Sequence, residues 1–194
     1  MSSRGDVTRE AILDSARIEL AKSGILGLRV AAVAAGAQTS ITAIYRHFGD
    51  RDGLLADVLT VVYDDLTTAT VDQYEKRLAD RNPLTIRDLV NALPVPFDVS
   101  HPTQKFRIQV LAAAAENDEL ARNLRDVMRK RHQRWKESLE GLQARMAPGE
   151  EFDERAYWAV LFDYMPYASS FLGDEKMSVE EYRDFLVDTL RATP

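Results

Sequence analysis

The chain contains no cysteine. That excludes disulfide frameworks, thiol nucleophiles and cysteine metal sites. Only three histidines occur, His47, His101 and His132, and they are scattered. None stands in a Glu-x-x-His pattern, so a di-metal helical bundle lacks its ligands. Asp98 and His101 lie three apart, but beside prolines in what reads as a loop. Gly-x-Gly-x-x-Gly, P-loop and Gly-x-Ser-x-Gly patterns are all missing, which leaves no visible nucleotide cradle and no nucleophile elbow. The expectation is a protein that is not an enzyme and carries no metal and no cofactor. No apolar run approaches the ~18–20 residues that span a bilayer. The start, Met-Ser-Ser-Arg-Gly-Asp, has no apolar signal core. A cytoplasmic protein without a membrane partner is expected.

What remains is ordinary globular material. The 194 residues are 45% hydrophobic and 29% charged, enough to bury a core in one or two small domains. Charge is uneven along the chain. Residues 1–55 hold seven Lys/Arg against six Asp/Glu, a net of +1, while the remainder is net −7. An acidic remainder disfavours nonspecific nucleic-acid binding, so any such contact belongs to the N-terminal part. The segment from Arg129 to Lys136 is densely basic, but Glu119, Asp126, Glu137 and Glu140 are spaced for helical pairing. It reads as a solvated helix face.

Apolar residues recur at helical spacing throughout and no strand pattern appears, giving an all-α chain of about nine helices. Ile12, Leu13, Ala16, Leu20 and Ala21 mark the first, opened near Asp6 or Thr8 and stopped by Gly24. Asp50 caps a long helix to about Leu78, and Thr85 caps one through Leu93. A helix near Thr103–Ala115 follows, then a long one opened by Asn117 or Asp118. Asp153 caps the next, and Ser178-Val179-Glu180-Glu181 is a capping box for the last.

The most informative stretch is Val33–Phe48. It reads as two short helices joined by a tight turn. Val33, Ala34, Ala37 and Ile44 can face a core. Thr39, Ser40, Thr42, Tyr45, Arg46 and His47 remain for something outside. That division suits a helix-turn-helix, whose second helix enters the DNA major groove. A plain helical hairpin inside an all-α core is the competing reading. Ser40 or Thr39 would cap the second helix, and its free N–H groups favour a phosphate or base acceptor. Ile41 can meet a thymine methyl, Thr42 can bond either way, and Arg46 can reach a guanine or a phosphate.

With their flanks these residues resemble the tetracycline-repressor (TetR) family of bacterial transcription regulators. The family pattern appears as Val33-Ala34, Ala37-Gln38-Thr39-Ser40, Ile44-Tyr45-Arg46-His47-Phe48 and Arg51-Asp52-Gly53-Leu54-Leu55, at ungapped spacing over about a quarter of the chain. Gln38 departs from it, standing where the family has a turn glycine. If φ is positive there, Gln is strained; Gly36 can loosen the end of the preceding helix instead. Arg29 replaces a capping, phosphate-touching Thr, and is a poor cap but a good phosphate partner. The resemblance implies that Tyr45 and His47 contact phosphate and that Arg51 clamps it. A cation at a helix N-terminus is otherwise disfavoured, so an external anion would explain Arg51.

The resemblance further implies a helix-turn-helix DNA-binding domain at residues 1–50 and a helical effector-binding and dimerisation domain at 51–194. The helix from about residue 51 links them. Double-stranded DNA bearing a palindromic operator, a second copy of the chain and a small-molecule effector are the implied partners. Dimer-interface candidates are Tyr157, Trp158, Leu161, Tyr182, Leu186 and Leu190. Candidates for an effector pocket are Phe97, Phe106, Arg107, Trp135, Tyr164, Met165 and Tyr167. The expected function is a ligand-responsive homodimeric repressor. The rival is a helical small-molecule carrier or interaction module that does not read DNA.

Overall fold

The structure is a computed structural model describing residues 4–93, 102–153 and 178–191. Eight helices form within those residues: α1 (Arg4–Gly27), α2 (Val30–Gly36), α3 (Ile41–Phe48), α4 (Arg51–Leu78), α5 (Ile86–Ala92), α6 (Pro102–Glu116), α7 (Asp118–Gln143) and α8 (Val179–Leu190). Among the described residues the only extended pairings are two isolated bridges, Leu84 with Met146 and Phe152 with Arg191. The all-α expectation holds.

Local chemistry sets most boundaries. α1 breaks at Gly24, where φ is 72° and ψ 177°, a conformation only glycine takes without strain. One further turn reaches Gly27. The helix starts at Arg4, ahead of the expected caps Asp6 and Thr8, which its first turns absorb. Asp50 caps α4 by accepting the Gly53 N–H at 2.8 Å. Thr85 opens α5 through a reciprocal capping box with Asp88. Asn117 opens α7, its Oδ1 accepting the Leu120 N–H at 2.9 Å. Ser178 and Glu181 form the box that opens α8. The helix expected after Asp153 lies outside the described residues.

The chain divides into two compact units. The first comprises residues 1–66 and 106–129; the second comprises 67–105 and 130–194. The first is built on Ile12, Ala16, Val33, Ile44, Leu54, Val58 and Leu59, all fully buried. Two ion pairs show how α1 meets the first half of α4. Arg9 pairs with Asp57 at 2.5 Å and Arg17 with Asp65 at 2.8 Å. Both span the same sequence separation, so the two helices run side by side in one direction.

The second unit packs Tyr74, Leu78, Leu84, Ile86, Leu89, Trp135, Leu139, Leu186 and Leu190 into its core. The Tyr74 and Trp135 rings meet at 5.1 Å, tilted by 56°, a favourable aromatic geometry. Arg145 donates to the carbonyls of Leu78, Ala79 and Arg81, capping the end of α4. Arg134 grips Glu75 with two bonds of 2.6 Å. That pairing holds the Glu75 carboxyl below its ordinary range. The basic run of α7 is thus a paired helix face. Arg129 meets Asp126 at 2.7 Å and Gln133 meets Glu137 at 2.9 Å.

Candidate nucleic-acid interface

The turn between α2 and α3 is a Schellman motif with an unusual occupant. The Thr39 N–H donates to Ala34 O at 2.9 Å and the Gln38 N–H to Ala35 O at 3.2 Å. This pair of bonds places the intervening residue in the left-handed region. That residue is Gln38, with φ 51°, the one non-glycine residue of positive φ among those described. The expected strain at this position is present.

The expectation for Gly36 is corrected. It does not loosen α2; it brings α2 against α1. A Cβ there would lie 2.3 Å from Ser15 Oγ. Ser15 is buried, and its hydroxyl donates to Val33 O at 2.9 Å. A shallow groove of about 430 Å³ opens beside this crossing, bordered by Asp14, Ile18 and Gln38.

α3 starts at Ser40, whose Oγ accepts the Ala43 N–H at 3.1 Å. Of the two expected caps, Ser40 is the one used. Ile44 and Phe48, four residues apart, are buried and fasten the helix. Ile41, Thr42, Tyr45 and Arg46 are exposed along the opposite stripe, Ile41 by 42% and Tyr45 by 41%. An isoleucine and a tyrosine this open, beside an uncovered helix N-terminus, form a surface able to meet apolar methyls, hydrogen-bond acceptors and phosphates. Thr39 and His47 are half-buried. The His47 Nε2 is covered and has no hydrogen-bond partner, so a phosphate contact through that atom requires the ring to turn.

Two residues near α3 fix its far end and were not foreseen. Arg9 lies over the Phe48 ring at 5.3 Å while pairing with Asp57. Gly53 packs so closely that a Cβ would meet Phe48 O at 2.0 Å. A glycine in a first helical turn, three residues after the capping Asp50, was a readable signal for the second. Nothing in the pattern marks Arg9, because its partners come from α3 and α4.

Arg29 sits before α2 without a side-chain cap. Its Nε donates to Glu19 Oε1 at 3.1 Å, and the guanidinium side chain remains 68% exposed. The bond to Arg29 is the main reason the Glu19 carboxyl lies below its usual value. Arg51 has internal partners. Its guanidinium faces the carbonyls of Leu28 at 3.3 Å, Leu26 at 3.4 Å and Ile25 at 3.5 Å. The argument that this cation needs an external anion is therefore corrected, since it already faces carbonyl oxygens of the head, with its side chain 40% exposed.

Residues 12–58 match the family profile of the bacterial regulatory proteins, tetR family. Over this head the chain is similar to the tetR-family regulatory proteins. The Val33–Phe48 motif lies within the matched residues. No curated protein matches the chain in sequence. Solved structures share the fold over nearly the full length. One, described as a transcriptional regulator from Saccharomonospora viridis in complex with choline, is 17% identical, with 94% of each chain covered and a TM-score of 0.52. A regulator of the TetR family from Mesorhizobium loti is 14% identical, covering 97% of this chain and 95% of its own, with a TM-score of 0.52. A TetR-family regulator from Vibrio parahaemolyticus is 16% identical, covering 96% and 100%, with a TM-score of 0.51.

The remaining candidates separate by position. Phe97, Tyr157, Trp158, Leu161, Tyr164, Met165 and Tyr167 lie outside the described residues. Phe106 and Arg107 are half-buried on α6 in the first unit, and Phe106 packs on its core. Trp135 belongs to the second unit and is 1% exposed, closed off by Tyr74 and neighbouring leucines. It packs in the core of that unit. Leu186 and Leu190, expected at a dimer interface, are likewise buried in the second unit's own core. A side chain covered within its own chain has no surface to offer a second one. Tyr182 is half-buried, and Phe185 and Val179 are the exposed apolar residues of α8. Among the described residues no group of His, Asp or Glu is placed to hold a metal ion, and no helix is long and apolar enough to cross a membrane.

Proposed function

We propose that this chain is a tetR-family regulator, a homodimeric, ligand-responsive repressor that reads a palindromic operator in double-stranded DNA. The observation carrying the proposal is the outward stripe of α3, Ile41, Thr42, Tyr45 and Arg46, beside a Ser40-capped helix start. Ile41 and Thr42 would reach base edges and Arg46 a guanine or a phosphate, while Thr39, Ser40, Tyr45 and His47 would set the head on the backbone. Arg29, largely exposed, would add a phosphate contact. In this reading residues 1–50 are the DNA-binding domain and 51–194 the effector-binding and dimerisation domain. The protein acts in the cytoplasm by binding, not by catalysis. Tyr182, with Tyr157, Trp158 and Leu161, contributes to the dimer face, joined by the exposed Phe185 of α8.

A small molecule in the helical body releases the operator by binding more tightly to a dimer shape whose heads are wrongly spaced. The choline-bound structure supports an effector site in a protein of this fold; Phe106 and Arg107 remain candidates for it here.

The test is selection of randomised duplex DNA by the purified chain at near-physiological salt. The expected product is an enriched palindrome with half-site centres about 34–36 Å apart, or a longer spacing. Tyr45→Phe should then weaken binding, because a hydrogen bond to phosphate is lost, and leave its salt dependence unchanged, because the hydroxyl carries no charge. A folded dimer that enriches no sequence, with and without candidate effectors, would overturn the proposal in favour of a helical carrier.

A further inference from the structure

Arg51 occupies the first turn of α4, where a cation opposes the helix dipole. Its surroundings resolve that conflict. Nε faces Leu28 O at 3.3 Å, and one terminal nitrogen faces Leu26 O at 3.4 Å and Ile25 O at 3.5 Å. The other terminal nitrogen lies 3.5 Å from Asp52 Oδ1, so part of the charge is neutralised locally. Each distance is long for a hydrogen bond. Their convergence is the telling feature: three carbonyls from one short segment address one planar guanidinium. A forked donor set can serve several acceptors at once, and an ammonium cannot reproduce that arrangement.

The segment concerned is the last turn of α1 and its link to α2. Gly24 breaks α1 and leaves the following turn with carbonyls that lack helical partners. Arg29, at the end of this segment, supplies the carbonyl that starts α2, accepting from Ala32 at 3.0 Å and Val33 at 3.1 Å. α2 in turn delivers α3 through the Gln38 turn. On the other side, the same first turn of α4 abuts Phe48 O at Gly53. The start of α4 therefore holds both ends of the α2–α3 unit, with Arg51 on one end and Gly53 on the other.

We propose that Arg51 is a positioning residue for DNA reading, which fixes the α1–α2 segment to α4, and is not a phosphate clamp. The proposal rests on the DNA-binding reading above. A phosphate contact and a positioning bond leave different marks. Losing a phosphate contact lowers the slope of log affinity against log salt by about 0.9, and a lysine restores it. Losing a positioning bond weakens binding with the slope unchanged, and lysine does not restore it.

The experiment measures affinity for the selected operator across a salt series for the full-length wild type, Arg51→Ala and Arg51→Lys. Hydrogen exchange on the DNA-free proteins runs alongside. Both variants should lose about tenfold in affinity with an unchanged salt slope. Both should exchange the Ala32 and Val33 amides about tenfold faster than the wild type, since the start of α2 is loosened. A slope reduced by about 0.9 in Arg51→Ala and recovered in Arg51→Lys would overturn the proposal. So would unchanged exchange in both variants, whatever the DNA result. If the wild type binds no DNA while exchange rises as expected, the DNA-binding reading fails, and with it the claim that Arg51 serves that function.

Discussion

Gln38 shows how a single residue records a compromise. The two bonds of the α2–α3 turn demand a left-handed backbone, and Gln38 adopts it at φ 51°. A side chain in that region costs about 1–2 kcal/mol, which glycine avoids, although glycine loses more freedom on folding. The Gln38 side chain is exposed, so little packing is at stake. Gln38→Gly should raise stability by about 1 kcal/mol, read as a higher urea midpoint with an unchanged slope. A lower midpoint would mean that the Gln38 side chain contributes something the turn geometry does not show. Arg51 and Arg29 carry a related lesson. Each looked like a free cation in sequence, and each has partners inside the head.

Between helices, the decisive quantity is distance of approach. α1 and α2 cross at Ser15 and Gly36, where a Cβ would stand 2.3 Å from Ser15 Oγ. Alanine improves helix propensity by up to about 1 kcal/mol over glycine. Overpacking costs about 1–3 kcal/mol, and here it also displaces a hydroxyl bonded to Val33 O. The clash should win. Gly36→Ala is expected to destabilise by about 1 kcal/mol. Adding Ser15→Ala should recover part of that loss, because Val33 O keeps its bond from the Ala37 N–H at 2.9 Å. Denaturant melts of the two single variants and the double variant would check the coupling; strict additivity would show that the helices do not meet as described.

At the level of the whole chain, acid sensitivity follows from carboxylates held by partners. Glu75 is lowered chiefly by Arg134, Asp88 by Thr85, Glu19 by Arg29 and Glu181 by Ser178. A folded value below the unfolded one adds stability above the unfolded pKa and loses it as pH falls through the folded one. Stability should therefore hold above about pH 5 and decline progressively below about pH 4, where unfolded carboxylates begin to take protons. Urea midpoints measured from neutral pH downward should show this decline. Glu75→Gln should flatten part of it, and an unflattened curve would remove Glu75 from the account.

Much of this protein was determined by sequence alone, wherever one short stretch held all the atoms concerned. The caps at Asp50, Thr85 and Ser178, the break at Gly24 and the strained Gln38 turn all depend on neighbours a few residues apart. The helix-turn-helix was legible for the same reason, since its core residues and its outward stripe alternate within one helix. What only the tertiary structure decided involves partners from distant helices. It put Trp135, expected in a pocket, and Leu186 and Leu190, expected at an interface, into the core of the second unit. It gave Arg51 three carbonyls from the α1–α2 segment, and gave Phe48 the company of Arg9 and Gly53. An apolar residue at helical spacing states that one helix face is buried; which surface buries it depends on how the helices are arranged, and that is not written in any single stretch of the chain.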